Sequence, residues 1–196
     1  METPPKRGLR WRRLAAAAGL AAVALALAGF ALPRERTITA AVRIAAEPGK
    51  VFSHIVSPRR WMEWHPWGPE FYPDMRREFS GPQQGVGAVW VFKERWSSGR
   101  IEVTQVLPPA HVGYISRING GRYTADCRFD LVVESAATHV TWQCTGDAGN
   151  NPFARAAMAF FSRRARSGFE LGLTRLKRIV EASGVNPTDT TPSSLH

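Results

Sequence analysis

The chain has 196 residues, which is enough for one domain and a terminal segment. It carries 26 Lys and Arg against 16 Asp and Glu, for a formal net charge of +10. The positive excess is concentrated in residues 1–35 and in the last predicted helix, and the sequence shows neither basic–aromatic interleaving nor zinc-finger spacing, so we exclude a general nucleic-acid binder.

The N-terminal segment has the composition of a membrane anchor. Five basic side chains in residues 1–13 precede Leu14–Leu32, nineteen residues without a charged side chain. About 20 apolar residues are needed for one bilayer crossing, and the positive flank places the N-terminus in the cytoplasm. We therefore expect a single-pass protein of the inner (cytoplasmic) membrane with its domain on the extracytoplasmic side. Ala26-Leu27-Ala28 resembles a small-residue cleavage site, so a cleaved signal peptide is the alternative.

The domain begins with a loosely alternating strand, Thr37–Ile44, followed by two short helices that start at prolines. The second helix carries Trp61 and Trp64 on one face, and Pro66 biases the backbone before it toward an extended form, so Trp67 lies at the exit. Because tryptophan is large and rarely fully buried, we expect the three indoles to line a core edge, a cavity mouth or an interface. An aromatic plug that closes one end of the core is the alternative.

Six further segments, each bounded by turn residues, predict the rest of an antiparallel sheet. Hairpins about Gly120-Gly121 and about Ser135-Ala136 place the apolar side chains of neighbouring strands on one face. A slip of one residue would break that agreement, so the register is well determined. The segments are Met75–Ser80, Ala88–Lys93, Arg100–Val106, Val112–Ile118, Arg122–Val133 and Thr138–Thr145.

The predicted register assigns partners to both cysteines and to one amide. Cys127 lies opposite Cys144, and these are the only two cysteines. A disulfide and two inward-facing free thiols both fit this pairing. A turn at Pro108-Pro109 pairs Gln105 with Val112, which makes Gln105 an inward-facing amide that needs hydrogen-bond partners.

The last helix is expected to start at Asn151-Pro152, with asparagine as N-cap and proline in the first helical position. A break is expected near Arg163–Ser167, and an apolar arc faces the sheet. Gly168 and Gly172 each cost about 1 kcal/mol relative to alanine inside a helix. We expect that they permit close contact with the sheet or leave space for a ligand. Residues 184–196 are polar and are expected to be disordered.

A strand, two short helices, an antiparallel meander and a long C-terminal helix follow the order of the helix-grip fold, an α+β architecture. Over residues 36–183 the chain resembles the polyketide cyclase/dehydrase-type branch of the SRPBCC (START-related) superfamily. The resemblance implies a curved antiparallel sheet of about seven strands wrapped around the C-terminal helix. The matching motifs are Ala46-Glu47-Pro48-Gly49-Lys50-Val51-Phe52, Trp61-x-x-Trp64-x-Pro66-Trp67, Ser80-Gly81-Pro82 with Gly85-Val86-Gly87-Ala88, Thr141-Trp142 with Thr145-Gly146-Asp147, and Phe169-Glu170-x-Gly172-Leu173-x-x-Leu176-Lys177.

The resemblance also implies a ligand cavity between sheet and helix, with Trp61, Trp64 and Trp67 at its mouth. Gln105 and two tyrosines would orient the ligand, and a neutral amide where the family often has an acid counts against proton-transfer chemistry. By position, the lining would be Trp90, Phe92, Ile101, Val103, Gln105, Tyr114, Ser116, Tyr123, Phe129, Trp142, Phe169 and Leu173.

We expect a membrane-tethered protein that binds a small hydrophobic or amphipathic molecule, without a metal, a cofactor or a nucleic-acid partner. The sequence contains no HExxH pair, paired-histidine metal spacing or Gly-x-Ser-x-Gly elbow. A cofactor-free cyclase or dehydratase is the alternative, and a domain whose cavity is filled by its own tryptophans is a third interpretation. Glu63 and His65 flank Trp64 and are expected to be solvated surface residues.

Overall fold

The computed structural model describes residues 7–183. The disorder expected for residues 184–196 therefore lies outside the described part of the chain, as do the first six residues of the basic segment. In chain order the elements are helix α1 (Arg7–Ala31), strand β1 (Glu35–Ile44), helix α2 (Pro48–Ile55), a 3-10 helix (Arg60–Glu63), strands β2 (Arg76–Ser80), β3 (Val89–Lys93), β4 (Ser98–Leu107), β5 (His111–Ile118), β6 (Tyr123–Glu134) and β7 (Ala137–Asp147), and helix α3 (Pro152–Ala182).

The seven strands form one antiparallel sheet in the order β1-β7-β6-β5-β4-β3-β2. Strands β2 to β7 are a meander, and β1 extends it by pairing with β7 from Glu35, opposite Asp147, to Ile44, opposite Thr138. The apolar arc of α3 is buried in the same core as the inward face of the sheet. This arrangement confirms the α+β helix-grip fold.

Both predicted hairpin registers of the central strands are confirmed. Ile118 pairs with Tyr123, and Cys127 pairs with Cys144. Alternation of side chains at period two explains this success, because only one register keeps every apolar side chain on the covered face. The first turn needs left-handed backbone, and Gly120 and Gly121 adopt it with φ of 70° and 86°.

One predicted pairing is wrong, and a β-bulge in β4 is the reason. Val103 pairs with Tyr114 as predicted, but the next pair joins Gln105 to Gly113. The extra residue between these positions turns the following side chains over. Gln105 is therefore exposed, and Val106 packs against the core instead.

Helix α3 is continuous from Pro152 to Ala182, so the break expected near Arg163–Ser167 is absent. The arginines in that stretch have high helix propensity, which sustains the helix through it. The predicted N-cap is confirmed, because the Asn151 side chain accepts hydrogen bonds from the backbone N–H of Phe153 at 3.0 Å and of Ala154 at 3.2 Å.

Helix α1 joins the domain at its C-terminal end. The Arg155 guanidinium donates to the Phe30 carbonyl at 3.2 Å, and Arg34, just beyond α1, forms two hydrogen bonds with Asp147. Within the described residues, Trp11–Ala31 is the one helical stretch long and apolar enough to cross a membrane. The N-terminal signal sequence of a secreted protein has the same composition.

Candidate ligand cavity

A cavity of about 440 Å³ lies between the sheet, α3 and the segment after the 3-10 helix. Small-molecule sites usually enclose about 300–1,000 Å³ and are lined mainly by apolar and aromatic side chains. This cavity has that size and that character. Its lining is Ile38, His65, Trp67, Tyr72, Met75, Trp90, Phe92, Glu94, Ser97, Ile101, Tyr114, Ser116, Ile118, Ala125, Cys127, Cys144, Ala165 and Phe169.

The predicted lining residues divide into three groups. Trp90, Phe92, Ile101, Tyr114, Ser116 and Phe169 line the cavity. Val103, Phe129, Trp142 and Leu173 are buried in the core outside that lining. Gln105 and Tyr123 do not reach the interior.

The exposure of those last two residues has two causes. Gln105 is turned outward by the bulge in β4. Tyr123 has the same parity as the inward-facing Cys127, but it is the first residue of β6 and its exposed fraction is 43%. Of the three side chains expected to orient a ligand, only Tyr114 lines the cavity.

Two of the three tryptophans expected at the mouth are core residues instead. Trp61 and Trp64 have no exposed surface, and their indole N–H groups donate to the carbonyls of Ile55 and His54 at 2.7 and 3.3 Å. They form the aromatic plug that was the alternative, and the cavity lies beside them. Trp67 is half-buried and lines the cavity, as expected for a residue near its opening.

His65 is the buried polar residue of the cavity that reasoning from the sequence missed. Its exposed fraction is 1%, and its imidazole is stacked on Trp61 with ring centroids 5.6 Å apart. The indoles of Trp67, Trp90 and Trp142 also surround it, at centroid distances of 4.9, 5.4 and 5.1 Å. Burial lowers the pKa of His65 to about 3, so the imidazole is neutral at pH 7.

Glu63 and His65 were both expected at the surface, but only Glu63 lies there. The 3-10 helix ends at Glu63, so an argument from helix faces does not extend to His65. Glu63 is exposed, and its carboxylate lies 3.4 Å from Nδ1 of His54. The sequence feature that could have indicated the burial of His65 is its position between Trp64 and Pro66, two apolar residues that are themselves buried.

The polar groups of the buried lining differ in whether they have partners. The Tyr114 hydroxyl accepts a hydrogen bond from Trp142 Nε1 at 2.8 Å, and burial raises the pKa of Tyr114. In contrast, the Nε1 atom of Trp90 and both ring nitrogens of His65 have no hydrogen-bond partner among the described residues. Buried polar groups are nearly always paired, so these two side chains mark the unsatisfied part of the cavity.

The structure joins Cys127 to Cys144 by a disulfide, which is one of the two states that the register allowed. Both cysteines line the cavity, and Cys144 Sγ lies 3.5 Å from the Tyr114 hydroxyl. The disulfide links β6 to β7 at the floor of the site. It is the redox form typical of proteins outside the cytoplasm.

A single guanidinium holds the segment that covers the cavity. Arg77 donates to the backbone carbonyls of Trp67, Tyr72 and Met75 at 3.1, 2.8 and 2.8 Å. All three of these residues line the cavity. Partial burial lowers the pKa of Arg77, and its hydrogen bonds fix the loop over the sheet.

Gly172 of α3 provides close packing and not ligand space, whereas Gly168 is less tightly packed. A Cβ atom on Gly172 would lie 3.0 Å from Pro66 Cδ and 3.3 Å from Trp142 Cζ3, and one on Gly168 would lie 3.6 Å from Pro66 Cβ. The helix therefore rests on the segment that carries His65. Of the two reasons expected for these glycines, the structure supports close contact at Gly172.

In the described part of the chain, no group of three or more His, Cys, Asp or Glu side chains is placed to hold a metal ion. The sequence profile of the family described as "Polyketide cyclase / dehydrase and lipid transport" matches residues 35–181. The chain belongs to this family. Comparison with curated proteins finds no match.

Solved structures of low sequence identity share the fold of this family member. Protein MLL2253 from Mesorhizobium loti has a TM-score of 0.55 at 17% identity, over 76% of this chain and 100% of that one. Protein CV1439 from Chromobacterium violaceum has a TM-score of 0.54 at 16% identity, over 74% and 96%. DynU16, from the dynemicin biosynthetic locus, has a TM-score of 0.54 at 18% identity over 75% of this chain, which spans about half (48%) of it. At such identities the similarity establishes the fold alone.

Proposed function

We propose that this family member is a membrane-tethered protein that binds a small, mainly apolar molecule between the sheet and α3. The observation that carries the proposal is the cavity of about 440 Å³. Its aromatic lining supplies the apolar contact that drives binding of such ligands. Few polar side chains interrupt that lining, and these would set the orientation of the ligand.

Binding is favoured over a cyclase or dehydratase reaction by the state of the buried histidine. A general base works best when its pKa is near the working pH. The pKa of His65 is lowered to about 3 by burial, so its neutral imidazole is a weak base. Glu94 is the one carboxylate among the described lining residues, and it is only half-buried. This set of groups is better suited to recognition than to proton transfer.

A surface groove supplies a route into the cavity. The groove encloses about 600 Å³ between α3 and the segment after the 3-10 helix, and it shares Trp67, Tyr72 and Ala165 with the cavity. Phe161 is exposed on its rim, beside Arg164. Exposed apolar side chains next to basic ones suit the anionic surface of a bilayer, from which an apolar ligand could be taken up.

Two features support a domain tethered on the extracytoplasmic side. The apolar helix Trp11–Ala31 follows a basic segment, which is the charge pattern of a cytoplasmic N-terminus. The disulfide between Cys127 and Cys144 fits an oxidising compartment. We expect an active C-terminal alkaline phosphatase fusion, a silent cytoplasmic reporter fusion and full-length protein in the membrane fraction. The reverse reporter pattern would contradict the topology, and recovery in the soluble fraction would contradict the anchor.

Ligand binding can be tested with naphthalene as an apolar probe and the full-length chain at a fixed detergent concentration. Ala165→Trp places an indole at the cavity, since Ala165 lines it. Thr174→Trp is the matched control, because Thr174 is exposed on the same helix. We expect the first variant to weaken naphthalene binding about tenfold or more and the second to leave it unchanged, as measured by NMR titration. Equal affinities in the two variants, or no binding to the folded wild-type chain, would refute the proposed cavity function.

A further inference from the structure

Two buried polar side chains without partners line the same cavity and contact each other. The ring centroids of His65 and Trp90 are 5.4 Å apart, with the planes at 87°. Neither has more than 1% of its surface exposed. Tyr114, the third polar side chain among the buried lining residues, already receives a hydrogen bond from Trp142. Among the fully buried side chains of the described lining, the unmet hydrogen-bonding capacity is therefore concentrated at His65 and Trp90.

The chemistry of these two side chains defines what would satisfy them. An indole N–H is a donor only, whereas a neutral imidazole offers one N–H donor and one acceptor nitrogen. The pair thus presents two N–H donors, one from each side chain, and one acceptor nitrogen on His65. A hydroxyl group matches the indole donor and the imidazole acceptor of this set, because its oxygen accepts one hydrogen bond while its proton is donated to another group.

We propose that His65 and Trp90 together bind the polar group of the ligand, and that this group is a neutral hydroxyl on an otherwise apolar molecule. The hydroxyl oxygen accepts from Trp90 Nε1–H, and the hydroxyl proton is donated to the unprotonated ring nitrogen of His65. The assignment rests on the proposed ligand-binding function and specifies the class of ligand. It gives a chemical role to two groups that are otherwise buried without partners.

The charge of the lining selects a neutral group over an ion. No Lys or Arg side chain is among the described residues that line the cavity. A carboxylate or phosphate would therefore be buried without a counter-charge, and Glu94 would repel it. A quaternary ammonium could be attracted by the surrounding indole faces, but it has no acceptor for the Trp90 N–H and no proton for His65.

Probes that share one ring system separate these cases. We would measure the affinities of naphthalene, 2-naphthol, 2-naphthoate and a 2-naphthyl trimethylammonium salt for the full-length chain, with the detergent concentration held constant so that partition into micelles is the same for all variants. Two hydrogen bonds should make 2-naphthol bind about tenfold more tightly than naphthalene. The two ions should bind more weakly than 2-naphthol.

Substitution of the buried histidine tests the assignment directly. His65→Phe should reduce the advantage of 2-naphthol over naphthalene from about tenfold to about threefold or less. His54→Phe is the matched control, since His54 is also buried but lies outside the cavity lining, and it should keep the full advantage. An equal loss in the two variants would overturn the role of His65.

A spectroscopic measurement reads the proposed contact on the wild-type chain itself, and a variant is needed only to assign the signal. The Trp90 Nε1–H signal, identified among the seven indoles by its absence in Trp90→Phe, should move downfield with 2-naphthol and not with naphthalene. Equal binding of all probes, tightest binding of either ion, or an unmoved indole signal would overturn the hydroxyl assignment and leave apolar binding intact. Failure of the folded protein to bind any probe would overturn both proposals.

Discussion

Replacement of Gly172 by alanine tests the contact between α3 and the segment that carries His65. The Cβ atom introduced by Gly172→Ala would lie 3.0 Å from Pro66 Cδ and 3.3 Å from Trp142 Cζ3. Both distances are shorter than ordinary van der Waals contact between carbon atoms, about 3.5–4.0 Å. Pro66 and Trp142 are buried, so neither can move away into solvent.

Gly168→Ala is the matched control on the same helix. Its Cβ atom would meet Pro66 atoms at 3.6 and 3.7 Å, which is ordinary contact. Alanine gains about 1 kcal/mol over glycine in a helix interior, so Gly168→Ala should stabilise the fold by about that amount. At Gly172 the same gain is opposed by an overpacking cost of about 1–3 kcal/mol. The free energy of unfolding should therefore be about 1–3 kcal/mol lower in Gly172→Ala than in Gly168→Ala.

Thermal unfolding followed by circular dichroism, at one detergent concentration for all three chains, measures this difference. For a chain of this length it corresponds to a Tm lower by about 3–9 °C in Gly172→Ala than in Gly168→Ala. Equal stabilisation by both substitutions would show that α3 does not rest on Pro66 as described. In that case the space beside Gly172 would be open and could accommodate part of a ligand, which was the other reason expected for this glycine.

Two further predictions concern the buried histidine and the cysteines. Since His65 has a pKa of about 3 in the folded chain and about 6.5 when unfolded, only the unfolded chain takes up its proton as the pH falls from 6.5 to 3, and stability is lost over that window. Urea unfolding at pH 7.5 and 4.5 should show a smaller loss in His65→Gln than in wild type, by about 2–3 kcal/mol, and an equal loss would contradict the burial of a neutral imidazole. His54, whose pKa burial and Arg60 also lower, is present in both chains and does not affect this comparison. Alkylation without reductant should label neither Cys127 nor Cys144, and labelling should appear only after reduction; two labelled cysteines in the untreated protein would exclude the disulfide.

Features that depend on local pattern could be derived from the sequence. The pairing of Cys127 with Cys144 followed from side-chain alternation, because a sheet covered on one face tolerates only one register. The cap at Asn151 followed from its side chain, which satisfies backbone N–H groups a few residues away. The apolar composition of Leu14–Leu32 was equally evident, because hydropathy requires no tertiary context.

The chemistry of the cavity was decided by tertiary structure. The bulge in β4 inserts one residue and reverses the facing of the side chains after it, so Gln105 became an exposed side chain where a ligand contact was expected. The role of Gly172 depended on Pro66, more than one hundred residues earlier in the chain. His65 lies outside any helical or strand period, so its burial was decided by the indoles that fold around it and its lowered pKa by the loss of water. Periodicity assigns a side chain to a face, but only the packed chain determines whether that face meets solvent, another element or a cavity.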